Sequence, residues 1–233
     1  MKLWLVRHAR PEIAPGHCYG STDIPADTAA TRDCAAALAN ALPEPRPQQA
    51  PLWVMCSPLQ RCRQLADALQ DLRPDLRATV DGRLAEMHFG AWENQPWSGI
   101  ARDELDAWTA DFGRYPAGGH GESVSAFMQR VAAALDDLAA ATAMPGGPAA
   151  HHHAVASPDS AAATVHAAPP AAALWITHAG VIRAATLIAA GRRQLQRADE
   201  WPTDAPGFGQ WRILDWPQEV HNQALAASRP AGH

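Results

Sequence analysis

Leu3-Trp4-Leu5-Val6-Arg7-His8 and, much later, Leu174-Trp175-Ile176-Thr177-His178 are built alike: a strand-like run of four residues leads directly, or through one arginine, to a histidine. Short apolar runs of this kind read as strands buried on both faces. If the two are neighbouring parallel strands of one sheet, both imidazoles emerge at the same edge. That edge, at the carboxyl ends of the strands, is where open α/β sheets place their ligands. His8 and His178 are therefore expected to face each other across one site.

Working outward, the loop from Arg10 to Ala26 holds Pro11, Pro15, Gly16, Gly20 and Pro25, which preclude long regular elements. A helix is predicted over 27–41, followed by a linker, 43–51, with four prolines. Trp53-Val54-Met55-Cys56 reads as a second buried strand. Ser57-Pro58 reads as a helix start, with Ser57 as the cap and Pro58 at the first helical position. Leu59, Cys62, Ala66 and Leu69 would share a buried face, with Arg61 in the first turn near the end of the strand. Residues 77–80 could add an edge strand, and 84–93 form a loop that mixes acids with aromatic bulk. A helix is predicted over 98–112, with Leu105, Trp108 and Phe112 aligned. After a glycine-rich break at 118–121, Glu122-Ser123 opens a helix with a clean stripe: Val124, Phe127, Met128, Val131, Leu135 and Leu138. A helix follows His178 to about Gly191, residues 192–207 look irregular, 211–214 read as a last strand, and the tail from Pro217 as surface. Strands alternating with helices predict a three-layer α/β/α sandwich with a mostly parallel central sheet.

The 233 residues and net charge of -5 fit an α/β protein with no broad attraction to nucleic acid or anionic membranes. There is no basic stripe interleaved with aromatics, and no apolar run near the roughly 20 residues of a membrane helix. Met1-Lys2 and four apolar residues are too short for a signal-peptide core, so the cytoplasm is expected. Cys18, Cys34, Cys56 and Cys62 lack Cys-x-x-Cys spacing and read as small buried hydrophobes. Residues 143–172, mostly Ala, Pro, Gly, Ser and His, cannot bury enough surface to offset their ordering entropy. They read as a flexible insertion within a single domain spanning 1–233. His151-His152-His153 inside it reads as a solvated tract; a metal-binding regulator built on it is the weaker alternative. Of the nine tryptophans, Trp97 and Trp201 could line a substrate mouth or an interface, although packing is the simpler role. Oligomeric state has no signal in the sequence.

The chemistry lies at the predicted strand ends. Arg7, His8, Arg61 and His178 converge there, with Glu86 the one obvious carboxylate nearby. Such crowded positive charge calls for a dianionic ligand, and phosphate matches the forked donors of arginine. The helix after His178 aims its amino end at the same place. Histidine can serve as a covalent nucleophile, and an ester leaving group needs a proton donor, for which Glu86 is the choice.

These residues sit in five ordered blocks: Leu5-Val6-Arg7-His8, the segment Ser57–Ala66, the segment Leu84–Glu93, Gly121-Glu122-Ser123, and Thr177–Arg183. Together they resemble the histidine phosphatase superfamily, which includes cofactor-dependent phosphoglycerate mutases. The resemblance implies His8 as the phosphorylated nucleophile, Glu86 as proton donor, and Arg7, Arg61 and His178 as the phosphate pocket. It adds Tyr19, Gly20 and Ala179 as substrate-binding positions and implies no metal or other cofactor. Within the superfamily, Arg7–Pro11 followed by Gly16–Pro25 is most similar to alpha-ribazole phosphatases. Ala9, Ala14 and Asn94 stand where members often carry other residues, which bears on the substrate. The expectation is a phosphomonoesterase acting on a small-molecule phosphate ester. A phosphoglycerate mutase-type transfer and a non-catalytic phospholigand-binding module are the rivals.

Overall fold

The computed structural model describes residues 1–45, 52–143 and 172–217. Its centre is a five-stranded sheet: β1 (Lys2–Arg7), β2 (Trp53–Cys56), β3 (Ala78–Val80), β4 (Ala172–Thr177) and β5 (Trp211–Asp215). The strand order is β3-β2-β4-β1-β5. β1 and β4 are parallel neighbours, β2 pairs in parallel with β3 and β4, and only the edge strand β5 is antiparallel.

β4 is buried along its whole length because both faces are covered. Ala173 and Trp175 face a cluster built from α4 (Val124–Ala143) and α5 (Ala179–Ala189). Leu174 and Ile176 face a second cluster, with α1 (Thr28–Ala41) and α2 (Gln60–Leu72). β1 alternates in the same way, Leu3 and Leu5 to the first cluster and Val6 to the second. Each of Leu3, Leu5, Val6, Leu174 and Ile176, fully withdrawn from water, contributes about 1.5–3 kcal/mol. These are the three layers expected.

The helix after β1 and the helix after β4 pack on opposite faces of the sheet. A crevice opens between two parallel strands whose connections diverge in this way. The register pairs Arg7 with Thr177, so His8 and His178 leave the sheet level with each other, and His8 N–H donates to Thr177 O at 3.0 Å.

Some local expectations change. Ser57 and Pro58 do not open α2; the helix starts at Gln60 after an extended Leu59. The Ser57 hydroxyl has a tertiary partner that outcompetes a local cap. The helix expected over 98–112 is α3, Arg102–Ala110, preceded by a separate 3₁₀ turn at Trp97–Gly99, because Ile100 and Ala101 are extended. Phe112 falls in the following turn yet is buried. Of the expected insertion 143–172, Ala143 ends α4 and Ala172 begins β4. Residues 144–171, including His151–His153, lie outside the described residues, as do 46–51 and 218–233. Among the described residues no helix is long and apolar enough to cross a membrane.

Candidate active site

The site is built on the ends of β1, β2 and β4. His8 is 2% exposed, and its ring lies 5.1 Å from that of His178, tilted by 60°. His8 Nδ1 is 2.6 Å from the backbone oxygen of Ala9. A carbonyl only accepts, so Nδ1 carries the proton and a neutral ring leaves the Nε2 lone pair bare. Burial, with help from the Arg61 and Arg7 guanidinium groups, pushes this imidazole down to about 3. His8 is therefore neutral at any ordinary pH.

Arg61 is fully buried at the start of α2. It donates to Gly20 O at 2.6 Å and Thr22 O at 2.7 Å, and its guanidinium carbon lies 5.2 Å from the centre of the Tyr19 ring. Arg7 donates to Pro206 O at 3.0 Å and lies 3.9 Å over the Phe208 ring. Among the described residues neither arginine has a carboxylate partner, and the Nε of each is buried without an acceptor. Two unpaired guanidiniums beside two neutral imidazoles form a pocket short of negative charge, which a phosphate dianion would supply.

His178 is fully buried, and its Nε2 is 2.7 Å from Ser57 Oγ. Ser57 Oγ also accepts from Leu59 N–H at 3.3 Å, so the hydroxyl is fixed between α2 and the imidazole. Burial, then Arg61 and His8, hold this imidazole well below its usual range.

Glu86 reaches the site from the loop after β3. One carboxylate oxygen accepts Met87 N–H at 3.0 Å and the other accepts Gly180 N–H at 3.0 Å, at the amino end of α5. The approach is close: a Cβ on Gly180 would sit 2.2 Å from the nearer oxygen, so a larger residue there would push the Glu86 carboxylate aside. Ala179, the first residue of α5, is half-buried between His178 and this contact. His8 and His178 thus meet at the strand ends beside Arg7 and Arg61, Glu86 is held at Gly180, two residues after His178, and Tyr19 and Gly20 pack against or accept from Arg61.

Three supporting residues escaped the sequence reading. Ser57 orients His178. Arg130 donates to the backbone oxygens of Arg83, Ala85 and Glu86 while paired with Glu122 at 2.8 Å, and so fixes the segment that carries Glu86. Glu93 accepts from the N–H groups of Ser21, Thr22 and Phe89 at 2.8–2.9 Å and from the hydroxyls of Ser21 and Thr22. Burial opposes its charge, but these hydrogen bonds outweigh that and hold its carboxyl below the usual range. The loop it ties down supplies both carbonyls that hold Arg61. Asn94, beside it, occupies the left-handed region (φ 64°), which asparagine tolerates better than most residues.

Two outcomes follow from this wiring. Glu93→Gln puts an amide donor against donors, and is expected to lower kcat/KM by up to about 100-fold through a displaced Arg61 and stability by about 1–3 kcal/mol. Kinetics and thermal unfolding of the variant check it. The second concerns acid. Unfolded histidines take up a proton near pH 6.5, whereas His8 stays neutral down to about pH 3. The unfolded state binds more protons in that window, so stability rises with pH across it and is lost on acidification, by up to about 1.4 kcal/mol per pH unit for each such histidine. Urea unfolding at pH 6.5 and pH 5 measures this; equal stabilities would contradict the buried neutral histidines.

Fold and site together define a class: a three-layer α/β protein that brings an unprotonated histidine nitrogen into a cationic pocket at the carboxyl edge of its sheet. Over residues 3–207 the sequence matches the family described as histidine phosphatase superfamily (branch 1), and the chain belongs to it. Among solved structures it is similar to a phosphoglycerate mutase from Thermus thermophilus, at 27% identity and TM-score 0.59, covering 94% of this chain and 95% of that one. It also matches the fold of a mycobacterial glucosyl-3-phosphoglycerate phosphatase, at 22% identity and TM-score 0.64, covering 91% and 88%. No curated protein sequence matches the chain.

Proposed function

We propose that the protein is a phosphomonoesterase working through a phosphohistidine on His8. The observation that carries this reading is the His8 imidazole. It is locked by Ala9 O with its reactive nitrogen bare, beside two arginines that have no carboxylate to neutralise them. Phosphoryl transfer asks mainly for positioning and charge stabilisation. Arg7, Arg61 and His178 hold the phosphoryl oxygens. His8 Nε2 attacks phosphorus in line, the bond to the leaving oxygen breaks, and Glu86 in its acid form gives that oxygen a proton. Glu86, now a carboxylate, then takes a proton from water as it attacks the phosphohistidine, which frees His8 and inorganic phosphate.

A non-catalytic binding module would not need a histidine held in the tautomer that attack requires. The rival of mutase-type transfer draws support from the similarity to the Thermus mutase. Hydrolysis is preferred because the segment Gly16–Pro25 most resembles alpha-ribazole phosphatases, which makes alpha-ribazole 5'-phosphate a first substrate to try. Incubation with a panel of phosphomonoesters that includes this compound and 3-phosphoglycerate tests the reading. Release of inorganic phosphate is expected; isomerisation of 3-phosphoglycerate without phosphate release would favour the mutase. Glu86→Gln is expected to slow esters of poor leaving groups by about 10²–10⁴-fold and those of good ones much less. Equal losses across a leaving-group series would remove Glu86 from the acid role.

A further inference from the structure

Phe208 is 40% exposed, yet its ring lies 3.9 Å over the Arg7 guanidinium and 5.6 Å from the His8 imidazole, tilted by 40°. The backbone fixes it there. Gly207-Phe208-Gly209-Gln210 is a turn closed by Gln210 N–H to Gly207 O at 3.1 Å and by Gly207 N–H to the Gln210 side-chain oxygen at 3.1 Å. Gly209, at its third position, is in the left-handed region (φ 72°), where such turns call for glycine. A side chain there would also meet Cys34 of α1, since a Cβ would sit 1.9 Å from its sulfur. Gly209 N–H donates to the oxygens of Arg7 and His8, both at 3.1 Å, and Arg7 N–H donates to Gln210 O at 3.0 Å. β5 starts at the next residue, Trp211, which pairs with Val6 of β1. The turn that carries Phe208 is thus clamped to the strand end that carries Arg7 and His8.

One face of the Arg7 guanidinium lies against this ring, and one terminal nitrogen donates to Pro206 O at 3.0 Å. The edge formed by Nε and the second terminal nitrogen has no acceptor among the described residues, and Nε is buried. Two parallel N–H donors on one edge are the form in which arginine grips a phosphate. An arginine with this task faces a conflict. It must be held in one orientation, but a carboxylate partner would cancel its charge and compete with the ligand. A carbonyl oxygen and an aromatic face hold it without doing either, because the ring attracts a cation through its quadrupole and carries no net charge.

We propose that Phe208 is a positioning residue of the phosphate pocket: stacked on Arg7, it fixes the guanidinium with its open edge free for the phosphoryl group and its charge uncancelled. This rests on the phosphatase reading only in taking the ligand to be a phosphoryl group.

The affinity for inorganic phosphate, measured by calorimetry, reads the effect apart from turnover. Phe208→Leu keeps apolar bulk and removes the ring. It should weaken phosphate binding by roughly 3- to 30-fold, the range of a cation–π contact, and lower kcat/KM for p-nitrophenyl phosphate by a similar factor. Phe208→Tyr keeps the ring face and should recover most of the loss. Phe208→Glu sets a carboxylate against Arg7 and should weaken phosphate binding more than Phe208→Leu does. On an Arg7→Ala background, Phe208→Leu should cost nothing further, which a ring that merely packed the turn would not show. If leucine unfolds the protein, the contrast between the tyrosine and glutamate variants carries the same test. Phosphate affinity unchanged in Phe208→Leu, lowered equally in Phe208→Leu and Phe208→Tyr, or no weaker in Phe208→Glu than in Phe208→Leu would overturn the role of Phe208 and leave the phosphatase reading intact. Additive losses on the Arg7→Ala background would do the same. A wild-type protein that neither binds phosphate nor releases it from any phosphomonoester would overturn the phosphatase reading, and this proposal with it.

Discussion

His8→Ala abolishes turnover, with an expected loss of about 10⁴- to 10⁶-fold in kcat, the scale seen when a covalent nucleophile is removed. No neighbouring group can replace it. The other imidazole, His178, has its Nε2 engaged by Ser57; Arg7 and Arg61 are cations, and Glu86 is held by the N–H groups of Met87 and Gly180. The loss should be the same for good and poor leaving groups, because without His8 no phosphoenzyme forms at all. The variant retains Arg61 and Arg7, so inorganic phosphate should still raise its melting temperature, as any ligand of the native state does. That shift certifies a folded pocket and separates a chemical defect from a structural one. Substantial residual activity in a variant that still binds phosphate would remove His8 from the nucleophilic role. Steady-state kinetics with p-nitrophenyl phosphate, beside the thermal shift, makes the measurement.

Arg61→Met is the second large effect. Arg61 supplies positive charge to the transferring phosphoryl group, and losing one preorganised donor of this kind costs about 10²–10³-fold in kcat. It also anchors the segment 19–22 through Gly20 O and Thr22 O, so loss of substrate positioning adds to the effect. Its charge leaves a further signature. Arg61 is the charged neighbour that most strongly pushes His8 down toward 3. With Arg61 gone the His8 imidazole rises, although burial, the larger cause, and Arg7 still hold it below its ordinary range, and protonated His8 cannot attack. The acid limb that His8 contributes to the residual activity of Arg61→Met should therefore lie at higher pH than in the wild-type protein. Arg61→Lys restores the charge but not the fork that spans two carbonyls, so it should recover the pH profile better than the rate. Identical pH profiles for wild type and Arg61→Met would contradict the electrostatic coupling between the two residues.

The architecture was legible where local pattern and tertiary role agree. The runs at Leu3–Val6 and Leu174–Thr177 are apolar throughout because both faces of the sheet are covered, and a histidine at the end of each can only emerge at the sheet edge. The stripe from Val124 to Leu138 is a helix face that packs on that sheet. The sequence fails where a side chain answers to something distant. Ser57-Pro58 carries a strong local helix-start signal, yet the hydroxyl is drawn to His178, 121 residues away. Glu93 and Arg130 look like ordinary surface charges. Their importance comes from backbone groups 71–72 and 44–47 residues away, which no spacing rule connects.

The central claim is that phosphate passes through His8. Rapid quench of the wild-type protein with a turning-over phosphomonoester, under basic conditions that preserve phosphohistidine, followed by peptide mass spectrometry, tests it most directly. The expected result is a phosphoryl group on the peptide containing His8, formed and consumed at rates compatible with turnover and missing from Glu86→Gln when the leaving group is poor. Turnover with His8 unmodified at every quench time, or with the phosphoryl group on another residue, would contradict the account.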